Sequence, residues 1–379
     1  VRILLIGEYS NLHNSLKAGL ETLGHSVVLV NSGDGFKNYG SDYSIKPTFS
    51  SNSLVSFLRQ GLYKLFKIDI AKIEHGIRFC FYLKHLKDFD VVQLINENPV
   101  QTTPKLERYL LNKIFKNNKK TVLLCCGVDH LIANYLFNKT ERYSILTPYF
   151  KNEKEAFEFQ FILDYIKLSY KKTHELVYKN SAGVIATDMD YYLPLKEHPQ
   201  FLGLIANPIN LDKIQLDSFS NFIQVKIFLG INRNSYTSKG IQFFEKTLDI
   251  IKTKYLNKVE IIVTENIPYS EYLTKYNNCH ILLDQVYGFD QGYNALEAMA
   301  KGKVVFTGAE KEFLDYYNLQ EDQVAINALP DVNYLVEKLS FLIDNPEKIT
   351  EIGNNARKFI EKEHDYKIIA QKYLDTWNK

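Results

Sequence analysis

The chain opens on Val1-Arg2-Ile3-Leu4-Leu5-Ile6-Gly7, an apolar run that is nearly continuous instead of alternating. A strand apolar on both sides must be covered on both faces, which is the condition of a parallel sheet flanked by helices. Asn11 to Leu23 then sets Leu12, Leu16, Leu20 and Leu23 on one helical face, and Gly24 releases the chain into Ser26-Val27-Val28-Leu29-Val30. This is a βαβ opening, and it predicts an α/β fold. Residues 90–94, 121–125 and 183–186 read as further core strands, with helical patterns over 54–87, 104–115 and 153–178. The polar and aromatic passage 31–53 shows no period and reads as a loop on the ligand side.

A second unit starts after Asn207-Pro208, where proline interrupts helix or sheet continuation. Strand patterns at 226–229, 259–263, 281–283 and 304–307 alternate with helical ones at 240–255, 270–276 and 293–300. Helical patterns over 332–343, 346–362 and 366–377 close the chain. With 379 residues, 45% of them hydrophobic, two cores are expected. The expected division is 1–205 together with a returning helix at 364–379, and 206–363, abutting across a cleft that is the default ligand site.

The formal charge of +2 gives no global attraction to nucleic acid. Cys80, Cys125, Cys126 and Cys279 have neither metal spacing nor disulfide density, and His13 and His25, or Asp188 and Asp190, form no recognised metal cluster. No apolar stretch approaches the roughly 18–20 residues of a spanning helix, and no signal-peptide cleavage pattern follows the opening run. A cytoplasmic protein is expected. Basic residues interleaved with apolar ones around Arg59, Lys64, Lys67 and Lys72, over 113–120 and over 167–179, read either as a solvated face or as one turned toward an anionic membrane or a lipid-diphosphate acceptor. Gly-x-Gly-x-x-Gly after the first strand and a Gly-x-x-x-x-Gly-Lys-Ser/Thr loop are both absent, which argues against nicotinamide, flavin and P-loop chemistry.

The densest signal runs from Tyr287 to Gly302, Tyr-Gly-Phe-Asp-Gln-Gly-Tyr-Asn-Ala-Leu-Glu-Ala-Met-Ala-Lys-Gly. Gly292 permits close approach just before a helix, and the free amides of that helix start, at Gly292, Tyr293 and Asn294, can meet a phosphate or ribose oxygen. Glu297 lies about one turn in, where it either accepts hydroxyl hydrogen bonds in the cleft or faces solvent.

This segment resembles the large family of retaining GT-B-type glycosyltransferases of bacterial polysaccharide and lipopolysaccharide synthesis, the "group 1" type. That family's pattern is a glutamate, seven residues, a second glutamate, then Ala-Met-Ala and Gly. Glu297-Ala298-Met299-Ala300 and Gly302 match its second half, while Phe289 occupies the place of the first glutamate. The resemblance implies two Rossmann-like domains facing across a cleft, a nucleoside diphosphate sugar as donor with no other cofactor or metal, and Glu297 holding the donor ribose. Asp290 is the substitute candidate for the missing carboxylate. Gly230-Ile231-Asn232-Arg233 followed by Lys239-Gly240 is similar to the family's phosphate loop, so Arg233 and Lys239 are implied to face the diphosphate; a basic turn opening a helix is the alternative. Ser235, Thr237 and Ser238 are candidates to cap that helix.

The first domain is expected to carry a glycan or lipid-linked acceptor. Gly7 with Glu8 to His13, and the cluster Asn96, Glu97 and Asn98, lie at C-terminal strand ends, where open α/β sheets bind ligands. The resemblance places a histidine near the reacting sugar, and His130 beside Asp129 is the candidate; a surface imidazole is the alternative. Phe289 also leaves open a binding protein built on a transferase scaffold.

Overall fold

The computed structural model describes residues 1–50, 52, 69–138, 141–151, 157–217 and 223–379. Residues 54–68, with Arg59, Lys64 and Lys67, and residues 153–156 of the expected helices lie outside this set.

The strands β1 (Arg2–Ile6), β2 (Ser26–Asn31), β3 (Tyr43–Ser44), β4 (Val91–Leu94), β5 (Lys120–Cys125), β6 (Val184–Ala186) and β7 (Phe201–Leu204) form one parallel sheet in the order β3-β2-β1-β4-β5-β6-β7. A second parallel sheet takes β8 (Val225–Ile231), β9 (Val259–Glu265), β10 (Ile281–Leu283), β11 (Val304–Thr307) and β12 (Ile326–Asn327) in the order β12-β11-β10-β8-β9. Each sheet reverses its direction of growth beside its first strand, between β1 and β4 and between β8 and β10. In open α/β sheets the crevice at such a point is where ligands sit.

The helices of the first domain are α1 (Leu12–Thr22), α2 (Ile70–Tyr82), α3 (Pro104–Asn117), α4 (His130–Phe137), α5 (Thr147–Phe150), α6 (Gln160–Tyr165), α7 (Leu168–Asn180) and α8 (Met189–Leu195). Those that follow are α9 (Ile241–Lys254), α10 (Tyr269–Asn277), α11 (Tyr293–Ala300), α12 (Lys311–Tyr317), α13 (Val332–Asp344), α14 (Pro346–Glu363) and α15 (Tyr366–Trp377). The apolar strands are covered on both faces, as their composition requires. Ile3, Leu5, Val27 and Leu29 pack toward Leu16 and Leu20 of α1, while Leu4, Ile6, Val92 and Leu123 pack toward Phe79 of α2, Leu110 and Ile114 of α3 and Val177 of α7. Each such side chain contributes roughly 1.5–3 kcal/mol by leaving water.

The last helix returns to the first domain. Gly19 of α1 lets α15 pack so closely that a Cβ there would lie 2.4 Å from the Tyr366 carbonyl oxygen. Trp377 Nε1 donates to Gln93 Oε1 at 3.1 Å, anchoring the chain end beneath the first sheet.

Three expectations change. The passage 31–53 contains a 3-10 turn (Gly35–Lys37) and the edge strand β3. The helix expected to span 153–178 is divided at Lys167, whose backbone is extended; the Tyr165 carbonyl turns to the His130 ring, 2.7 Å from Nδ1. Capping of α9 by Ser235, Thr237 or Ser238 does not occur: Gly240 is the N-cap in the left-handed region at φ 68°, with no side-chain cap.

Candidate active site in the interdomain cleft

On the second wall, the loops after β8 and β10 meet at the start of α11. Lys239 Nζ lies 2.9 Å from Asp284 Oδ1, and Asp284 Oδ2 accepts from Thr307 Oγ1 at 3.3 Å. A Cβ on Gly292, the N-cap of α11, would lie 4.0 Å from the same Oδ2. The structure therefore brings an ammonium group and a helix N-terminus to one corner, where the buried Asp284 carboxylate already meets the ammonium. Gly240 keeps this corner tight, since a Cβ there would come within 2.2 Å of Val286 Cγ2.

Arg233 is not in that corner. Its Nε and Nη2 donate to Glu265 at 2.7 and 2.6 Å, and the guanidinium lies over the Tyr236 ring near solvent. The amides beside Lys239 are met instead by a residue that sequence reading missed: Glu158 Oε1 of the first domain accepts from Thr237 N at 2.9 Å and Ser238 N at 2.7 Å. Glu158 lies in a helical pattern otherwise rich in apolar residues, and nothing local marks it as a cap for a loop some eighty positions away.

Glu297 is half-buried, and burial pushes its carboxyl up to about 7 against the opposing pull of Lys37 and then Lys301. Lys37 belongs to the first domain, where its Nζ donates to Ser10 Oγ at 3.0 Å and pairs with Asp34 at 3.5 Å. Ser10, Asn11, Asp34 and Asn38 all hold positive φ in these two joined loops, an uncommon concentration of strained backbone at one cleft edge. The sequence offered no pattern to single out Lys37, because its placement depends on the fold of the unperiodic passage.

Of the other residues of this segment, Tyr293 and Asp290 reach the first domain, at Ser15 and Met189, while Asn294 is held within the second. The Tyr293 hydroxyl donates to the Pro208 carbonyl at 2.7 Å and lies 2.8 Å from Ser15 Oγ. Asn294 Oδ1 accepts from the Tyr272 hydroxyl at 3.2 Å. Asp290 is buried, its Oδ1 accepting from Gln291 N at 2.6 Å and its Oδ2 from Met189 N of α8 at 3.2 Å. Burial pushes the Asp290 carboxyl up to about 7; burial and then Asp290 do the same to Asp190, which accepts from Phe289 N.

Phe289 is buried beneath the Arg142 guanidinium, 5.2 Å from the ring centroid, and beside Tyr143. Arg142 Nη2 in turn donates to Glu310 Oε2 at 2.7 Å and Glu312 Oε2 at 2.9 Å, and the Tyr143 hydroxyl donates to Glu310. Glu310 and Glu312, after β11, bring two carboxylates to this corner beside that of Asp190.

On the first wall the structure unites the loops after β1, β4 and β5. Glu8 accepts from His13 N, Asn14 N and Asn14 Nδ2, capping α1, and burial holds it up at about 7. Asn96 Nδ2 donates to the Tyr9 hydroxyl at 3.0 Å. Glu97 Oε2 accepts from His130 N at 3.2 Å and its Oε1 lies 2.5 Å from His174 Nδ1. Burial pushes Glu97 up to about 8, and burial with the Glu97 charge pushes Asp129 up to about 7. The His130 ring sits at the start of α4, 5.0 Å from that of His174. The two first-domain clusters expected from the sequence are thus one cluster, with His174 added. Among the described residues, no group of three or more His, Cys, Asp or Glu side chains is placed to hold a metal ion.

The comparisons with known proteins bear on the wall that carries Lys239 and Glu297. Residues 239–375 match the family model described as glycosyl transferase-like. No curated protein matches the chain. Among solved structures, the chain is similar over its whole length to a sucrose-phosphate synthase from Thermosynechococcus elongatus, at 14% identity, 98% coverage of that chain and a TM-score of 0.60. It is also similar to the Anabaena protein HepE in complex with UDP and glucose, at 12% identity, full coverage of this chain, 99% of the other and a TM-score of 0.58. A third similar structure is an alpha-glucosyltransferase in complex with UDP-glucose and DNA containing an abasic site, at 12% identity, coverage of 100% and 98%, and a TM-score of 0.54. The fold is GT-B: two α/β domains with parallel sheets across a cleft. Among the described residues, no helix is long and apolar enough to cross a membrane.

Proposed function

We propose that the chain is a glycosyltransferase that moves a sugar from a nucleoside diphosphate sugar to a hydroxyl of a glycan or lipid-linked acceptor. The observation that carries this reading is the corner where Lys239 and the N-terminus of α11 converge one helical turn from Glu297, within the segment that matches the glycosyl transferase-like family. Lys239 and the helix amides would neutralise the diphosphate, and Glu297 would accept the ribose hydroxyls. Arg233 joins them by leaving Glu265, an exposed pair of the kind that stabilises little. Relatives in fold solved with UDP or UDP-glucose support a uridine nucleotide as the first donor to test.

The transfer we propose retains anomeric configuration and requires no metal. The bond from the anomeric carbon to the diphosphate oxygen breaks, the bond to the acceptor oxygen forms on the same face, and the acceptor proton passes to the departing phosphate. Lys239 stabilises charge that grows on that phosphate, so its contribution is largest in the transition state. His130, oriented by Glu97 through its backbone, faces the acceptor sugar. Asp290 acts by fixing the donor loop against α8, and Glu310 supplies the carboxylate side of the corner that Phe289 fills. We place the domain division at 1–205 with 364–379, and 206–363, and the protein on the cytoplasmic side.

Phe289 favours one second reading, a protein that binds a sugar nucleotide without transferring the sugar. A panel of nucleoside diphosphate sugars with mixed glycan and lipid-linked acceptors, read by product mass, separates the two. A product heavier than the acceptor by one sugar residue supports transfer, while nucleotide binding with neither transfer nor donor hydrolysis supports the second reading.

A further inference from the structure

The helices α2, α3 and α7 cover one face of the first sheet and touch in that order. A Cβ on Gly76 of α2 would lie 2.3 Å from Leu106 of α3, and Arg108 of α3 donates to the Ser169 carbonyl at 2.8 Å and Thr173 Oγ1 at 3.2 Å in α7. Their outward sides therefore form one continuous surface. On it, α3 and α7 expose Lys105, Lys113, Lys116, Lys171, Lys172 and Lys179, with Glu175 as the one exposed carboxylate of these two helices. Large apolar side chains stand among them: Phe81 is 72% exposed and Ile77, one turn earlier on α2, 49%, while Tyr109 and Leu168 are 51% and 66% exposed.

This sorting is local. The chain as a whole carries only +2, and α1 and α15 on the opposite face of the same sheet expose charges of both signs in Glu21, Lys372 and Asp375. Lysines ringing protruding aromatic and aliphatic side chains match an anionic bilayer surface, where the cations meet headgroups and the apolar groups enter the acyl boundary. A nucleic acid would use the lysines but would leave Phe81 and Ile77 in water.

We propose that the outer face of α2, α3 and α7 docks on an anionic lipid bilayer. The inference goes beyond the transfer reading and stands without it, because docking requires neither donor nor acceptor.

Co-sedimentation with phosphatidylcholine vesicles, with and without phosphatidylglycerol, tests it on the full chain. Binding is expected to vesicles containing phosphatidylglycerol, to weaken as salt is raised, and to be slight to phosphatidylcholine alone. The Lys105→Glu/Lys113→Glu/Lys116→Glu variant should partition on the order of a hundredfold less, since each lysine near such a surface raises partition about fivefold and all three are lost. Phe81→Ser should weaken partition roughly tenfold by removing the inserted ring. All of these side chains are exposed, so melting temperature and nucleoside diphosphate binding should match the wild type and exclude misfolding. Absence of vesicle binding, or variants that bind as the wild type does, would overturn the proposal. So would duplex DNA binding that is lost in the lysine variant but kept by Phe81→Ser, or a dimer in sedimentation that Phe81→Ser dissociates.

Discussion

The two walls of the cleft differ in how their charged groups are satisfied. On the first wall Glu8 has three donors and Glu97 joins the His130 amide to His174, so these carboxylates are committed to the protein itself. On the second wall Lys239 pairs with Asp284 and Glu297 faces Lys37 across the gap, with solvent reaching its side chain. The contrast separates two jobs. The carboxylates with two or three donors in place build a rigid platform, whereas Lys239 must give up its Asp284 pair to meet a ligand and Glu297 is open to solvent.

Substitution of Lys239 should break that contrast most strongly. Lys239→Ala is expected to lower turnover at saturating donor by about a hundredfold or more, since it removes a preorganised charge from the leaving group. Steady-state kinetics over a donor series reads this directly; a raised half-saturation concentration with unchanged turnover would assign Lys239 to capture alone.

The first wall should respond in stability instead. Glu97→Ala leaves the His130 amide and the His174 ring without their buried acceptor, and a loss of about 1–3 kcal/mol in urea unfolding is expected. Glu97→Gln keeps an acceptor and should lose less. Equal losses would show that charge, not hydrogen bonding, dominates there.

The seam between the walls sharpens the comparison through pH. Asp290 is raised by burial from the usual carboxylate range to about 7, so the folded protein holds its proton more tightly than the unfolded chain. Its favourable contribution is fully present below the unfolded pKa near 4 and is lost as pH rises through about 7. Asp290→Asn, which keeps the size and an acceptor for Met189 N, should therefore melt higher than wild type at pH 8, and the difference should shrink toward pH 5. A difference constant across that range would remove Asp290 from the titrating seam.

The same contrast explains what could be read from the sequence. Continuous apolar runs exposed the parallel strands, because burial on both faces leaves a local mark, and Glu297 was visible because its helix carries a family-like pattern. Lys37, Glu158 and Arg142 were not, since each acts across a long sequence separation from a short or irregular element. His174 was not either, since its partner Glu97 lies 77 positions away although its own helix is regular. Arg233 was visible as a residue but not in its placement: its pairing with Glu265 depends on where β9 ends, which periodicity does not give.

Calorimetric titration of wild type and Glu297→Gln with uridine, guanosine and adenosine diphosphates tests the central claim, that the second wall is the nucleotide-binding wall. Wild type should bind at least one of them, and the variant, with an unchanged melting temperature, should bind it more weakly by about 1.5–3 kcal/mol through loss of charged hydrogen bonds to the ribose. Equal affinity in the two proteins would contradict the account.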